Sequence, residues 1–403
     1  METKTIVCIS CYFKGFDFMD ELHLLGNKVI LITSEHLKDR AWPWHAITES
    51  FYMKEESYSV WNLDHLVQGF SHLMRSTKVD AVVALDDYDV EKAALIRENF
   101  RIPGMGQTTH RYFRDKLAMR QRALHNNISV PEFTAIFNDD EINGFVAKVA
   151  GPWVLKPRSE ASATGIKKIS DRDHLWETVN SLGEERYLFL LESFKPGDVY
   201  HVDSLTYQGK VLFTSASKYL SPPMQVAHDG GVFRSQTLNH TTKDFKELEA
   251  LNRKLLLGFG LMNGATHSEF IKGKADGKWY FLETSSRVGG AHIPDLVEAS
   301  TGINIWREWA RMEDHLLKNI PYQIQKPTAF ASGLLVALTN KRNPEYAEFM
   351  CDAVYKFLPI ENHIGIVYRS NDDQLVRKCL DETAEKVTSQ YLSVIPPKDK
   401  PTS

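Results

Sequence analysis

Between Gly264 and Gly290 the sequence specifies two strands and the turn that joins them. Gly264-Ala-Thr-His-Ser-Glu-Phe and Trp279-Tyr-Phe-Leu-Glu-Thr-Ser-Ser-Arg flank Ala275-Asp276-Gly277-Lys278, and Asp-Gly between two such runs is a hairpin signal. Side chains alternate faces along a strand, so His267 and Glu269 point one way and Ser268 and Phe270 the other. The same period groups Trp279, Phe281 and Glu283, and the hairpin brings Glu269 beside Glu283. Two converging carboxylates suit Mg²⁺, which takes one or two protein carboxylates and fills its other positions with phosphate oxygens and water. Zn²⁺ would draw nitrogen or sulfur ligands. From these two runs alone, a solvated hairpin whose acids face water fits equally well.

Length bounds the architecture, and charge bounds the partners. A chain of 403 residues, 43% hydrophobic and 25% charged, buries a real core and divides into two to four lobes of roughly 100 residues each. A net charge of −4 without a basic block argues against nucleic acid, whose sequence-independent binding needs a basic stripe to release counterions. No apolar run approaches the roughly 20 residues of a membrane span, and the amino terminus lacks the layout of a signal peptide. No membrane partner and a cytoplasmic location are therefore expected, and four cysteines suit that reducing compartment. Cys8 and Cys11 form a C-x-x-C without a second ligand pair at zinc spacing, which reads as a core cysteine beside a loop cysteine.

Over the first hundred residues strands alternate with helices. Thr5 to Cys11, Lys28 to Thr33 and Val79 to Leu85 read as strands, and Phe16 to Leu25, Trp61 to Ser76 and Val90 to Asn99 as helices. That alternation predicts a doubly wound parallel α/β lobe. Asp86, Asp87 and Asp89 follow a strand's carboxyl end, where such sheets collect ligands. Loop acids there also cap helices, and capping is the preferred reading for Asp87 and Asp89. Trp42 and Trp44 with Phe51 and Tyr52 read as packing between lobes, and Trp306 and Trp309, three apart on one helix, as core.

A second section opens near Thr108. Its helix, Arg114 to His125, carries Lys116 and Arg120 on one face, which by itself reads as a solvated basic edge. Pro152-Trp-Val-Leu-Lys156-Pro157 ends an apolar strand in a lysine aimed at a cleft. The small, polar loop from Arg158 to Gly165 suits backbone N–H groups laid over phosphates. Leu188 to Glu192 is a further apolar strand, and His201 and Asp203 share one face of the next, inward or outward.

In order and spacing these segments resemble the ATP-grasp superfamily over residues 108 to 310. The resemblance implies an ATP-grasp fold, α/β and α+β, preceded by the doubly wound parallel lobe (1–107) and followed by a small α+β lobe (326–403). Between them would lie a small subdomain with a phosphate-covering loop (108–190) and a large subdomain with the metal site (191–325). ATP would meet Lys116, Lys156, the flap with Ser162 and Gly165, and the hinge from Glu192 through Phe194 to Lys195, whose backbone reads adenine. Mg²⁺, or Mn²⁺ in its place, would sit on Glu269 and Glu283, with Ser285 standing where many members carry Asn. Val199 replaces the usual ribose-binding acid, so Asp198 or His201 takes that contact, or no residue does.

Finer detail resembles the L-amino-acid ligases, carboxylate–amine ligases that make dipeptides: the Gly264 to Glu269 run, Glu283-x-Ser-x-Arg287-x-Gly-Gly290, Ile293-Pro294 and Thr301-Gly302. There Arg287 would bind the phosphoryl group and acyl oxygen, and the Gly289-Gly290 backbone the acyl donor. Residues 222–231 resemble the acceptor loop, with Gln225 at a place frequently acidic. His228 would orient the incoming amine or take its proton, or it caps a turn. The implied activity joins an amino acid or similar carboxylate to an amine through an acyl phosphate, releasing ADP. Its partners are small-molecule carboxylates and amines, and a homodimer is the default assembly. Two other readings stay open: an ATP-grasp carboxylase or purine-pathway ligase using bicarbonate or formate, and an ATP-binding protein without catalysis.

Overall fold

The computed structural model describes residues 2–57, 60–160, 164–224, 226 and 230–394. Its amino-terminal sheet places Ile47–Met53, Lys28–Ser34, Thr5–Ser10 and Ala81–Ala84 side by side in that order, all parallel. The two inner strands, Thr5–Ser10 and Lys28–Ser34, are near-continuous buried runs because both faces are covered. One face sets Val7, Ile9 and Ile30 against Leu66 and Phe70 of helix Leu63–Leu73. The other sets Ile6, Cys8 and Leu31 against Phe18 and, from far along the chain, Leu296 and Trp309. Helices Ile293–Thr301 and Ile305–Lys318 thereby fasten this lobe to the rest of the molecule. The edge strand Ile47–Met53 escapes sequence reading because it is mostly exposed and its mix of polar and apolar residues has no buried run.

Trp42 joins that shared core, its ring 5.0 Å from Phe13 and 5.9 Å from Phe16. Trp306 and Trp309 stack at 6.0 Å in the same core, as their spacing predicts. Trp44, Phe51 and Tyr52 are exposed instead of packed between lobes, Phe51 and Tyr52 on the sheet's edge strand. Cys11 follows the end of the first strand, as a loop cysteine, and is buried like Cys8.

Two antiparallel sheets follow. The smaller holds Phe133–Ala135, Phe189–Ser193, Trp153–Pro157 and Lys167–Ile169 in that order. The larger has eight strands in the order Trp279–Ser285, Gly264–Gly273, Gly197–Tyr207, Lys210–Tyr219, Phe233–Thr237, Ala331–Leu338, His363–Ser370 and Val354–Phe357. The carboxyl-terminal strands thus continue this sheet, Ala331–Leu338 pairing with Phe233–Thr237. Helix Asp373–Gln390 covers them over a core of Leu335, Ile364, Ile366 and Leu380. Among the described residues no helix is long and apolar enough to cross a membrane.

The hairpin read from the sequence forms, with Glu269 directly opposite Glu283. It departs at one residue. Phe270 faces Phe281 while Glu269 faces Glu283, so Leu282 is an extra residue in the ladder, a β-bulge. Trp279 and Phe281 therefore leave the face of Glu283 and pack with Phe270 and Phe259. The expected grouping of Trp279, Phe281 and Glu283 fails because the two-residue period is broken between them.

Candidate active site

A cleft of about 870 Å³ is lined by residues of both antiparallel sheets. On the smaller sheet, alternation sends Trp153, Leu155 and Leu191 into a core under helices Asp139–Lys148 and Arg172–Ser181. It sends Val154, Lys156 and Glu192 into the cleft. Lys156 lies opposite Leu190 and Glu192 opposite Val154, so the two charged residues are diagonal neighbours on one face. Lys156 Nζ is 2.6 Å from Glu192 Oε2. Burial pushes the Lys156 ammonium down to about 8, with Arg120 adding to the push and Glu192 opposing it.

Arg120 holds the other oxygen of Glu192. Helix Lys116–His125 starts at Asp115, whose carboxylate accepts from the N–H groups of Leu117 and Ala118 at 2.9 and 3.4 Å. Lys116 and Arg120 follow one turn apart on its inner face. Arg120 Nε donates to Glu192 Oε1 at 2.5 Å, and Nη1 donates to the carbonyl of Leu282. The bulge supplies that acceptor, because its extra residue is left out of the ladder. The expectation of a solvated basic edge therefore fails: both side chains are buried, Arg120 completely, against carboxylates from two sheets.

Lys116 Nζ is 3.0 Å from Glu283 Oε2. Burial alone would raise the Glu283 carboxyl, but Lys116 and then Lys156 outweigh it and hold the group below its usual range. Glu269 accepts from the Tyr219 hydroxyl at 2.8 Å. Both glutamates line the cleft with side chains 18% and 33% exposed, so oxygens of this pair remain open to a ligand. Two oxygen anions locked in register beside two lysines fit a divalent cation bound together with phosphates.

Arg287 reaches the same cleft, and the amino-terminal lobe orients it. Its Nε and Nη2 both donate to Asp87 Oδ2, at 2.9 and 2.5 Å. Burial opposes both charges, yet Arg287 and then Arg114 hold Asp87 well below the carboxylate range, and Asp87 raises the guanidinium in return. The expected capping by Asp87 and Asp89 does not occur, since helix Val90–Phe100 has no side-chain cap. Asp86 instead accepts from the Tyr88 N–H at 3.2 Å and Asp89 from the Cys11 N–H at 3.0 Å.

Behind Glu269 lies a buried network. Asp203 bonds His201 Nδ1 at 2.7 Å and His267 Nδ1 at 2.9 Å, and His201 Nε2 is 2.7 Å from Ser235 Oγ. Burial works against the charge on His267, but Asp203 outweighs it and raises the imidazole to about 9. These three residues are close enough to hold a metal ion. Each Asp203 oxygen is already spent on a ring nitrogen, so the cluster works as a hydrogen-bond network.

No protein-family model matches the chain. An L-arginine-specific L-amino acid ligase from Bacillus subtilis is 26% identical over 234 residues, covering 56% of this chain and 56% of that protein. A D-alanine–D-alanine ligase from Christiangramia forsetii is 23% identical over 231 residues, covering 52% of this chain and 68% of that one. The chain spans about half the length of the first curated relatives it matches. Among solved structures, the L-amino acid ligase from Bacillus licheniformis superposes with a TM-score of 0.69 at 19% identity, over 95% of this chain and 98% of the other. N5-carboxyaminoimidazole synthetase from Staphylococcus aureus complexed with ADP gives 0.70 at 12% identity, over 96% of each chain. The chain has the fold of these ATP-grasp structures.

Of the residues that the ATP-grasp resemblance singles out, Lys116, Lys156, Glu192, Phe194, Glu269, Glu283, Arg287 and Gly290 all line the one cleft. Phe194 gives its N–H to the Pro152 carbonyl at 3.0 Å. Gly165 has φ 69°, and a Cβ there would come within 2.9 Å of Pro157 Cγ; its neighbours Thr164 and Ile166 line the cleft. Ser162, Gln225 and His228 lie outside the described residues.

Two ATP-grasp assignments fail. His201 is not placed for ribose: it is wholly buried, both ring nitrogens are bonded, and Tyr219 lies beside it at 4.8 Å between ring centroids. Asp198 does line the cleft. Ser285 does not join the glutamates: it is not among the residues lining the cleft, and it lies near enough to Asp87 to help keep that carboxyl ionised. Sequence reading gives Arg120 and Asp87 other tasks, a solvated edge and a helix cap, and does not single out Tyr219. Only the four-residue spacing from Lys116 could have pointed to Arg120.

Proposed function

We propose that the chain is an ATP- and Mg²⁺-dependent, ADP-forming carboxylate–amine ligase. It activates an amino acid or similar carboxylate as an acyl phosphate and passes the acyl group to an amine, giving a dipeptide or related amide. The observation that carries this reading is a single cleft where a register-locked pair of glutamates, two buried lysines and an arginine converge. Both named relatives are amino-acid ligases, which supports the same class.

ATP would lie with its phosphates toward Lys116 and Lys156, under the 158–165 loop, and its base at the Glu192 to Lys195 hinge. Glu269 and Glu283 would hold Mg²⁺, which neutralises phosphate charge and fixes the phosphates' orientation. The chain's own residues account for the rest. Lys156 must turn from Glu192 to meet a phosphate, and the Arg120 guanidinium keeps that buried carboxylate compensated meanwhile. Arg287, steadied by Asp87, faces the position where charge develops on the transferring phosphoryl group and the acyl oxygen. Closing the loop excludes the water that would hydrolyse an acyl phosphate. His228, on the acceptor loop, would orient the amine or take its proton, and two copies of the chain would form the working assembly.

ADP and phosphate release from Mg-ATP, measured over all pairs of the twenty amino acids with mass spectrometry of active wells, tests the reading. ADP release that needs two amino acids and yields a condensed mass is expected. Similar superposition on N5-carboxyaminoimidazole synthetase and biotin carboxylase keeps the carboxylase reading as the second, and ADP release with bicarbonate or formate alone would establish it. ATP binding without ADP in any well would leave the non-catalytic reading.

A further inference from the structure

Away from the cleft, the carboxyl-terminal stretch brings two thiols together. Cys351 follows the single turn Tyr346–Phe349, Cys379 sits on helix Asp373–Gln390, and their sulfurs are 2.8 Å apart. Both are free thiols, and no role in the proposed chemistry uses them. We propose that Cys351 and Cys379 are a modification site: they form a reversible disulfide that clamps the tail helix to the segment ahead of the last two strands of the large sheet.

The two sulfurs are not equivalent. Cys379 is buried and Cys351 half-buried. Burial first, then Cys351 itself, pushes the Cys379 thiol up to about 12, which makes Cys351 the sulfur that meets the oxidant. With a low-molecular-weight disulfide as oxidant, the Cys351 thiolate attacks one of its sulfurs, forming a mixed disulfide and expelling one thiolate. Cys379 then gives up its proton as its sulfur attacks that of Cys351, expelling the second. Two protein S–H bonds are lost, one S–S bond is gained, and the oxidant leaves as two thiols.

The position gives the clamp its reach. The helix carrying Cys379 is tied to strand Phe233–Thr237 by Arg234 to Asp381 at 2.5 Å and by the Gln236 amide to the Asp373 carbonyl at 3.1 Å. Phe233 of that strand lines the cleft, and Ser235 bonds His201 in the network behind Glu269. Just before it, Gly230 lies against Val394, which follows the tail helix: an added Cβ would come within 2.6 Å of Val394 Cγ1. A covalent bond at Cys379 therefore stiffens the support of the strand that leaves the 222–231 loop.

The test uses the full chain, reduced and desalted, then incubated with oxidised glutathione, alkylated and weighed intact beside Cys351→Ser and Cys379→Ser. The wild type is expected to lose two hydrogens, dithiothreitol to restore them, and Cys379→Ser to stop at the mixed disulfide. The oxidised wild type should unfold a few degrees above the reduced form. Four alkylated thiols in the treated wild type, or the same two-hydrogen loss in Cys351→Ser, would overturn the pairing. An oxidised form with an unchanged Tm would overturn the clamp. Cys351 is half-exposed, so Cys351→Ser keeps the test decisive even where Cys379→Ser fails to fold.

Discussion

Arg120→Met removes a charge on which two sheets converge. Glu192 then loses the guanidinium at 2.5 Å and keeps only Lys156 at 2.6 Å, while the Leu282 carbonyl loses its donor. Removing one partner of a buried pair costs about 3–5 kcal/mol, and a buried acceptor left unmet adds about 1–3 kcal/mol. The remaining Lys156 offsets part of this, so a net loss of about 3–5 kcal/mol is expected. Glu192→Gln leaves Arg120 and Lys156 facing each other without their anion and should cost a comparable amount. The double variant has no isolated carboxylate, and its cost should fall short of the sum by about 2–3 kcal/mol. Urea unfolding followed by circular dichroism, with m unchanged across the four proteins, measures this coupling. Single costs that add to within about 0.5 kcal/mol would refute the view that Arg120 and Glu192 act as one unit.

Three further outcomes are expected. Gly289→Ala places a Cβ 2.9 Å from Asp203 Oδ1 and 3.1 Å from His267 Nδ1 and should destabilise by about 1–3 kcal/mol. Gly290→Ala meets open space and should stay within about 0.5 kcal/mol, so equal urea midpoints would contradict the packing. His267 stands at about 9 against 6.5 for a free imidazole, so its stabilising contribution is full below 6.5 and is lost as pH rises through 9. Asp203→Asn removes the group chiefly responsible for the rise and should flatten that decline in a Tm-against-pH profile. Lys156 is lowered from 10.5 to about 8, so the unfolded chain binds more protons in between and stability rises with pH over that window. Affinity for a non-hydrolysable ATP analogue should instead fall as pH climbs through about 8 with loss of the ammonium, and Lys156→Arg should remove that dependence.

The hairpin is legible in the sequence because two alternating runs and an Asp-Gly turn fix its register, and Glu269 does meet Glu283. The bulge at Leu282 is not, since a single inserted residue leaves no period to read. Lys156 and Glu192 are legible as charged ends of apolar strands. Arg120 is hidden because a basic helix face reads as solvated unless its partner is known, and Glu192 lies 72 residues further on. The task of Asp87 is hidden by the same physics at greater range, its arginine standing 200 residues away. For His201 the period gives the face but not the side chain that covers it, which Tyr219 supplies from the next strand. The joining of the tail to the large sheet depends on long-range pairing of Phe233–Thr237 with Ala331–Leu338, which local pattern does not encode.

Activation of a carboxylate by phosphoryl transfer in this cleft is tested most directly with an isotope. The acid identified in the ADP-release screen is supplied with oxygen-18 in its carboxylate, together with unlabelled Mg-ATP and the amine. An acyl phosphate hands one carboxylate oxygen to phosphate when the amine displaces it, so released phosphate carrying one heavy oxygen is expected, and none with Glu283→Gln. Unlabelled phosphate, or heavy oxygen recovered in AMP, would contradict activation at the terminal phosphoryl group.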